Sequence, residues 1–216
     1  MTNVVVSLSG GKDSVYALYT ALKEGLNVTH LMFIKTGGKG HLENKNVLKL
    51  VSEAVGIPSI IAGSKPHDIQ KALKKANAQM LVSGVMTTPE HLEYYKDILD
   101  PIGVKQYAPL FGKDPLVSLD EMHKLGFHNL IIEIDTALGS NKNWLGHEMN
   151  QAVIDEINQL VKDKKMNPIG EWGEYHTLVV DCPIFKKRVE VEKSKTQWKG
   201  SKGYFIIKKA SLQPKN

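Results

Sequence analysis

The chain of 216 residues has a single cysteine, Cys182, which excludes an internal disulfide framework and any paired-cysteine zinc or redox site. No apolar run approaches the roughly 18 residues that a membrane-spanning helix needs. The opening Met1-Thr2-Asn3-Val4 lacks the basic and apolar pattern of a secretory leader. The histidines show no H-x-x-x-H or carboxylate spacing for zinc. These absences predict a cytoplasmic protein with no membrane partner. Cys182, between an apolar run and Pro183, reads as a small buried hydrophobe.

What is present is an ordinary globular composition, 42% hydrophobic and 24% charged, long enough to fold on burial alone. The net charge of +5 is uneven. From Phe185 onward ten Lys/Arg face two Glu, a local +8, which leaves residues 1–184 at −3. Such an end can meet an acidic protein surface. With no arginine-rich run, no stable nucleic-acid partner is expected.

The first half alternates short apolar runs with amphipathic stretches. Strands are predicted at 4–8, 28–34, 59–62 and 80–85, with helices at 13–24, 43–55, 68–77 and 89–99. That alternation predicts an α/β fold, a parallel sheet with helices on both faces. After Pro109 the pattern changes. A helix over 115–125, a strand over 129–134, a helix from about Trp144 to Lys164 and antiparallel strands over 176–181, 188–192 and 204–208 predict a smaller α+β domain. The boundary falls near 108–115, giving domains 1–110 and 111–216.

The densest signal is Ser9-Gly10-Gly11-Lys12-Asp13-Ser14, between the first strand and the first helix. Two glycines permit a tight turn and close approach of backbone to a ligand. The helix N-terminus offers free N–H groups to an anion, and Lys12, Ser9 and Ser14 add a charge and two hydroxyls. The spacing is that of neither the Walker loop nor the dinucleotide fingerprint. This hexapeptide resembles the PP-loop of the ATP pyrophosphatases. The resemblance implies ATP with Mg²⁺, Asp13 as a metal ligand, cleavage between the α and β phosphates, and a nucleotide-binding domain with its first strand central. That sheet order in turn implies that Ser83-Gly84, ending the fourth strand, lies beside the nucleotide and that the end of the second strand, Phe33-Ile34-Lys35, lies near its base. Gly37-Gly38-Lys39-Gly40 with His41 is positioned to form a lid over it.

A second cluster is Glu171-Trp172-Gly173-Glu174-Tyr175-His176-Thr177-Leu178-Val179-Val180-Asp181. Two carboxylates, an imidazole and a hydroxyl lie within seven residues, before and at the start of a predicted strand. Such a group can bind a cation, and His176 can move a proton near neutral pH. The run is similar to the E-G-G-E-Y/F-x-T-L-V-x-D motif of the diphthine–ammonia ligase family, with Trp172 where the motif has glycine. Tyr107-Ala108-Pro109-Leu110-Phe111-Gly112-Lys113-Asp114 resembles that family's Y-A-P-L-W-G-R-D, and Trp144-Leu145-Gly146 its W-L-G. Residues 87–95 follow its S-x-Y-Q-x-x-R pattern only in part.

The family resemblance implies that the diphthine carboxylate of translation elongation factor two is adenylated and then amidated with ammonium to diphthamide, releasing AMP and pyrophosphate. By position, Ser9, Gly10, Gly11, Lys12, Asp13, Ser14 and Gly84 would hold ATP. Lys12, Glu171, Glu174 and His176 would carry the chemistry, and Gly173, Thr177 and Trp144 would meet the acceptor. Trp172 or Trp144 offers a face to the acceptor's trimethylammonium group, and glycine-to-tryptophan exchange at 172 crowds the turn. Two other readings remain: a PP-loop enzyme adenylating a small carboxylic acid or an RNA base, and a nucleotide-binding protein without ligase activity.

Overall fold

The computed structural model describes residues 2–35, 41, 43–163 and 166–215. The expected lid at 37–40 lies outside the described residues. Five strands form a parallel sheet: β1 (Val4–Ser7), β2 (Val28–Ile34), β3 (Ser59–Ala62), β4 (Met80–Val82) and β5 (Lys105–Tyr107), in the order β3-β2-β1-β4-β5. The first strand is central, as the PP-loop resemblance implies. The order reverses on either side of β1, which opens a crevice at the carboxyl ends of β1 and β4.

Alternation along the strands assigns each face. Val4, Val6, Leu31, Phe33 and Val82 belong to one buried cluster, with residues of α1 (Lys12–Lys23) and α2 (Lys45–Val55). Val5, Met32 and Leu81 point the other way, into a second cluster with α3 (Pro66–Lys75) and α4 (Pro89–Leu99). Fully burying a side chain such as Leu18 stabilises the fold by about 2 kcal/mol. Helix α3 starts two residues before the predicted Asp68, because Pro66 supplies a preset first-turn φ. The three-residue β5 is absent from the prediction: Lys105-Gln106-Tyr107 has no apolar run, and pairing with β4 alone makes it a strand.

The second half contains α5 (Pro115–Lys124), β6 (His128–Asp135), α6 (Gln151–Lys162), β7 (Tyr175–Asp181), β8 (Lys187–Lys199) and β9 (Lys202–Pro214). Its four strands form an antiparallel sheet ordered β7-β6-β9-β8. The larger buried cluster is continuous between the halves, from Val4 to Ile207, and α1 and α2 touch both sheets.

Two elements differ from expectation. The predicted helix from Trp144 begins at Gln151 instead. Residues 146–149 run beside β6: Gly146 N–H donates to the Ile131 carbonyl (2.8 Å), Ile131 N–H to His147 (3.0 Å) and Met149 N–H to Asn129 (2.8 Å). Gly146 sits at φ +80°, outside helical space, and Asn150 caps the helix by accepting from Val153 N–H. The terminal hairpin is also much longer than its apolar core, with two strands of 13 residues. The lysines along it obscured the ladder, since its outer residues stay in water.

Candidate active site

The loop after β1 turns through Gly10 at φ +83°, and Gly11 precedes the first turn of α1. A Cβ at Gly10 would stand 2.7 Å from Leu48 Cδ2 and 3.2 Å from Leu178 Cδ1, so close packing of α2 and β7 reinforces the need for glycine. Ser14 Oγ donates to the Gly11 carbonyl (2.9 Å) and accepts from Ser9 N–H (3.2 Å), which ties the loop into a ring. At the end of β4, a Cβ on Gly84 would lie 2.7 Å from the Asp13 carbonyl carbon and 2.8 Å from Ser14 N. Gly84 therefore lets the crevice wall close onto the backbone of α1's first turn.

Strand β7 completes the loop from the second half. Val179 N–H donates to the Gly10 carbonyl (2.9 Å), and the buried Thr177 hydroxyl accepts from Lys12 N–H (3.1 Å). The Lys12 side chain is buried. Its Nζ donates to the Ile169 carbonyl (2.6 Å) and to Asp13 Oδ2 (3.0 Å), and lies 4.8 Å from the centre of the Tyr175 ring. Thus the lysine expected to meet phosphate from the PP-loop alone is held by residues from both halves.

Two adjoining chambers open here. The outer one, a cleft of about 330 Å³, is lined by Ser9, Asp13, Ser14, Ser83 and Gly84 together with Ser7, Val85, His91, Tyr94, Tyr95 and Glu171. The inner one, about 150 Å³, is lined by Gly11, Lys12, His41, Ile169, Gly170, Tyr175, His176 and Thr177. Ser9, Asp13 and Glu171 line both and form the shared wall. Asp13 Oδ1 and Ser83 Oγ facing this region, and His41 Nδ1, are buried with no hydrogen-bond partner. Unpartnered buried acceptors are costly, and their clustering at one place marks a site awaiting a ligand.

Charge is distributed unequally around that wall. Desolvation raises the Asp13 carboxyl above its ordinary value, against the opposing pull of Lys12. For Glu171, burial acts in the same direction but is outweighed by hydrogen bonds from the Thr87 and Thr88 hydroxyls and Thr87 N–H, so the carboxyl lies below its usual range. Glu171 therefore stays ionised. Burial pushes the His176 imidazole down to about 3, assisted by His41 and Lys12, and burial with Lys12 pushes His41 down to about 4. The two rings meet edge to face, 5.5 Å between centres. Burial therefore favours the neutral imidazole at His176.

Two segments of the chain match models of known proteins. Residues 2–106 match the model of the diphthamide synthase N-terminal domain, and residues 114–213 that of the diphthamide synthase C-terminal domain. The chain belongs to the diphthamide synthase family. Among curated relatives, a diphthine–ammonia ligase of Danio rerio is 24% identical over 225 residues, covering 89% of this chain and 88% of that protein. The Homo sapiens protein of the same name is 23% identical, covering 88% and 83%. A diphthine–ammonia ligase of Schizosaccharomyces pombe is 25% identical over 84% of this chain but only 35% of its own length.

Within this diphthamide synthase fold the expected site residues separate into groups. Ser9, Gly11, Lys12, Asp13, Ser14, Gly84, Glu171, His176 and Thr177 come together around the two chambers, and Gly10 shapes the loop from behind. Glu174 lines neither chamber. It is buried, accepting from Asn167 N–H (3.0 Å) and Trp172 N–H (3.1 Å), and so fastens its own loop. Gly173 supplies that loop with a φ of +92° and opens onto free space. Trp144 is core: its Nε1 donates to Glu156 (2.7 Å) and its ring packs edge-on behind Tyr175. Trp172 is 74% exposed, so it projects from the turn instead of crowding it. Phe33-Ile34-Lys35 lines neither chamber.

Residues missed by the sequence reading are Ser7, His91, Tyr94, Tyr95, Tyr175 and the Ile169 carbonyl. The adjacent tyrosines 94 and 95 on the helix after β4 were a legible signal. The Ile169 carbonyl carried none. The donor set also suits a divalent cation held with a polyphosphate. Among the described residues no group of three or more metal-ligating side chains exists, and one carboxylate oxygen with nearby hydroxyls is what Mg²⁺ requires when phosphates complete its shell. No helix among the described residues is long and apolar enough to cross a membrane.

Proposed function

We propose that this chain is an ATP-dependent ligase that adenylates the diphthine carboxylate of translation elongation factor two and amidates it with ammonia, releasing AMP and pyrophosphate in the cytoplasm. The observation that carries this reading is the unpartnered Asp13 Oδ1 in the wall shared by two chambers. One carboxylate at the junction suits a reaction in which a nucleotide and a second reactant must meet. Family membership supplies the reaction type, and the names of the curated relatives supply the acceptor.

In this reading residues 1–110 grip ATP, and residues 111–216 bring Glu171, His176 and Thr177 to the place where the acceptor meets it. Ser9, Ser14 and the N–H groups at the start of α1 hold the pyrophosphate portion. Lys12, fixed by Ile169 and Tyr175, stabilises negative charge growing on the leaving pyrophosphate. Asp13 would hold Mg²⁺, which when bound neutralises phosphate oxygens. The acceptor carboxylate attacks the α-phosphorus and the bond to the β-phosphate oxygen breaks. Ammonia then attacks the acyl carbon, the bond to AMP breaks, and one proton leaves the nitrogen. Neutral imidazoles at His41 and His176, which repel neither ammonia nor its lone pair, suit an inner chamber that accepts ammonia.

The test incubates the chain with labelled ATP, Mg²⁺, ammonium and diphthine-bearing elongation factor, and separates AMP from ADP. AMP is expected only with the factor present and is lost in Lys12→Ala. AMP formed with another acceptor and none with the factor overturns the diphthine assignment while keeping the PP-loop chemistry.

A further inference from the structure

The outer cleft has an aromatic feature outside the residues expected to hold the nucleotide. At its mouth the rings of Tyr94 and Tyr95 meet at 66°, with centres 5.6 Å apart, forming a two-sided aromatic corner. Tyr95 is fixed by a hydrogen bond between its hydroxyl and Ser7 Oγ (3.0 Å), whereas Tyr94 is 42% exposed and leaves its ring open to the cleft. The same cleft carries Glu171, whose ionised state is secured by Thr87 and Thr88. Two aromatic faces set at an angle with a fixed negative charge in the same cavity make a receptor for a bulky cation. A cation that asks only for aromatic faces and a field fits this corner.

We propose that Tyr94, Tyr95 and Glu171 form the specificity pocket for the acceptor's quaternary ammonium group. This rests on the ligase reading above. It transfers cation recognition from the tryptophans to the tyrosines, because Trp144 is buried behind Tyr175 and Trp172 faces solvent.

The test has two arms. In the first, saturation-transfer NMR compares choline with its neutral isostere 3,3-dimethylbutan-1-ol on the full chain, without ATP or factor. Choline is expected to bind, the isostere to bind much more weakly, and Tyr94→Leu to lose choline while Tyr94→Phe keeps it. In the second, Tyr94→Leu is expected to raise KM for the diphthine-bearing factor about fivefold, with KM for ATP and kcat little changed. Equal binding of the isostere, or a Tyr94→Leu effect on KM for ATP instead of the factor, overturns the proposal. Choline binding in a chain that makes no AMP with the factor would support the cation site and sink the ligase reading. AMP formation without choline binding would do the reverse.

Discussion

The PP-loop and the 169–177 segment meet at one site but are built by opposite means. The PP-loop is local: two glycines, two serines and a helix start fall within six residues, and the Ser9–Ser14 ring closes inside the loop itself. The 169–177 segment is long-range. Ile169 receives Lys12, Thr177 receives the α1 backbone, and Glu171 is held by Thr87 and Thr88, more than 80 residues away in sequence. A locally built loop can be recognised from a hexapeptide. A segment built by distant partners reveals its roles only when those partners are in place. Its two glutamates make the point: three residues apart, one faces both chambers and the other fastens a turn.

Removing the contact that joins the two segments should have the largest effect. Lys12→Ala leaves the Ile169 carbonyl and the Asp13 carboxylate without their buried cation. Turnover to AMP should fall about a hundredfold or more, and urea denaturation should register a loss of about 3 kcal/mol. The glutamate comparison comes next. Glu174→Ala strands two backbone N–H groups and should cost about 2 kcal/mol of stability by the same assay. Glu171→Gln should instead act on turnover with little change in the urea midpoint. Equal effects of the two on both measurements would erase the distinction between them.

A smaller effect concerns pH. His41 and His176 have folded-state values near 4 and 3, against 6.5 for the free side chain. Below pH 6.5 the unfolded chain takes up protons that the folded chain does not, so stability present above that pH is lost as pH falls toward 4. His176→Gln should flatten this part of the stability profile, measured by thermal unfolding across that window. An unchanged slope would mean that the inner chamber admits water freely. Smallest of all, Trp172→Gly should leave stability within about 0.5 kcal/mol and turnover within twofold, because the ring is in solvent. A large loss would show that the acceptor touches it.

The parallel half was largely legible because four of its five strands are short apolar runs, β5 being the exception, and each helix is an amphipathic stretch of ordinary length. Val4-Val5-Val6 announces a strand buried on both faces, and the structure buries all three completely. Trp144-Leu145-Gly146 misled because an apolar helical spacing continued back through a segment that pairs with β6 instead. Backbone hydrogen bonds to Asn129 and Ile131 decide that segment, and neither partner is visible from the local pattern. The hairpin of β8 and β9 was underestimated for the opposite reason: its ladder extends into lysines that need no burial.

The sequence by itself determined the Ser9–Ser14 loop and the family, since these depend on short-range chemistry written in consecutive residues, and the central place of β1 followed only from the resemblance. Only the tertiary structure decided that Lys12 is anchored from the far half of the chain, that Glu174 is structural while Glu171 faces the chambers, and that the aromatic faces at the cleft belong to Tyr94 and Tyr95. Those outcomes turn on which buried polar groups find partners across long stretches of chain, and burial and pairing are properties of the packed molecule.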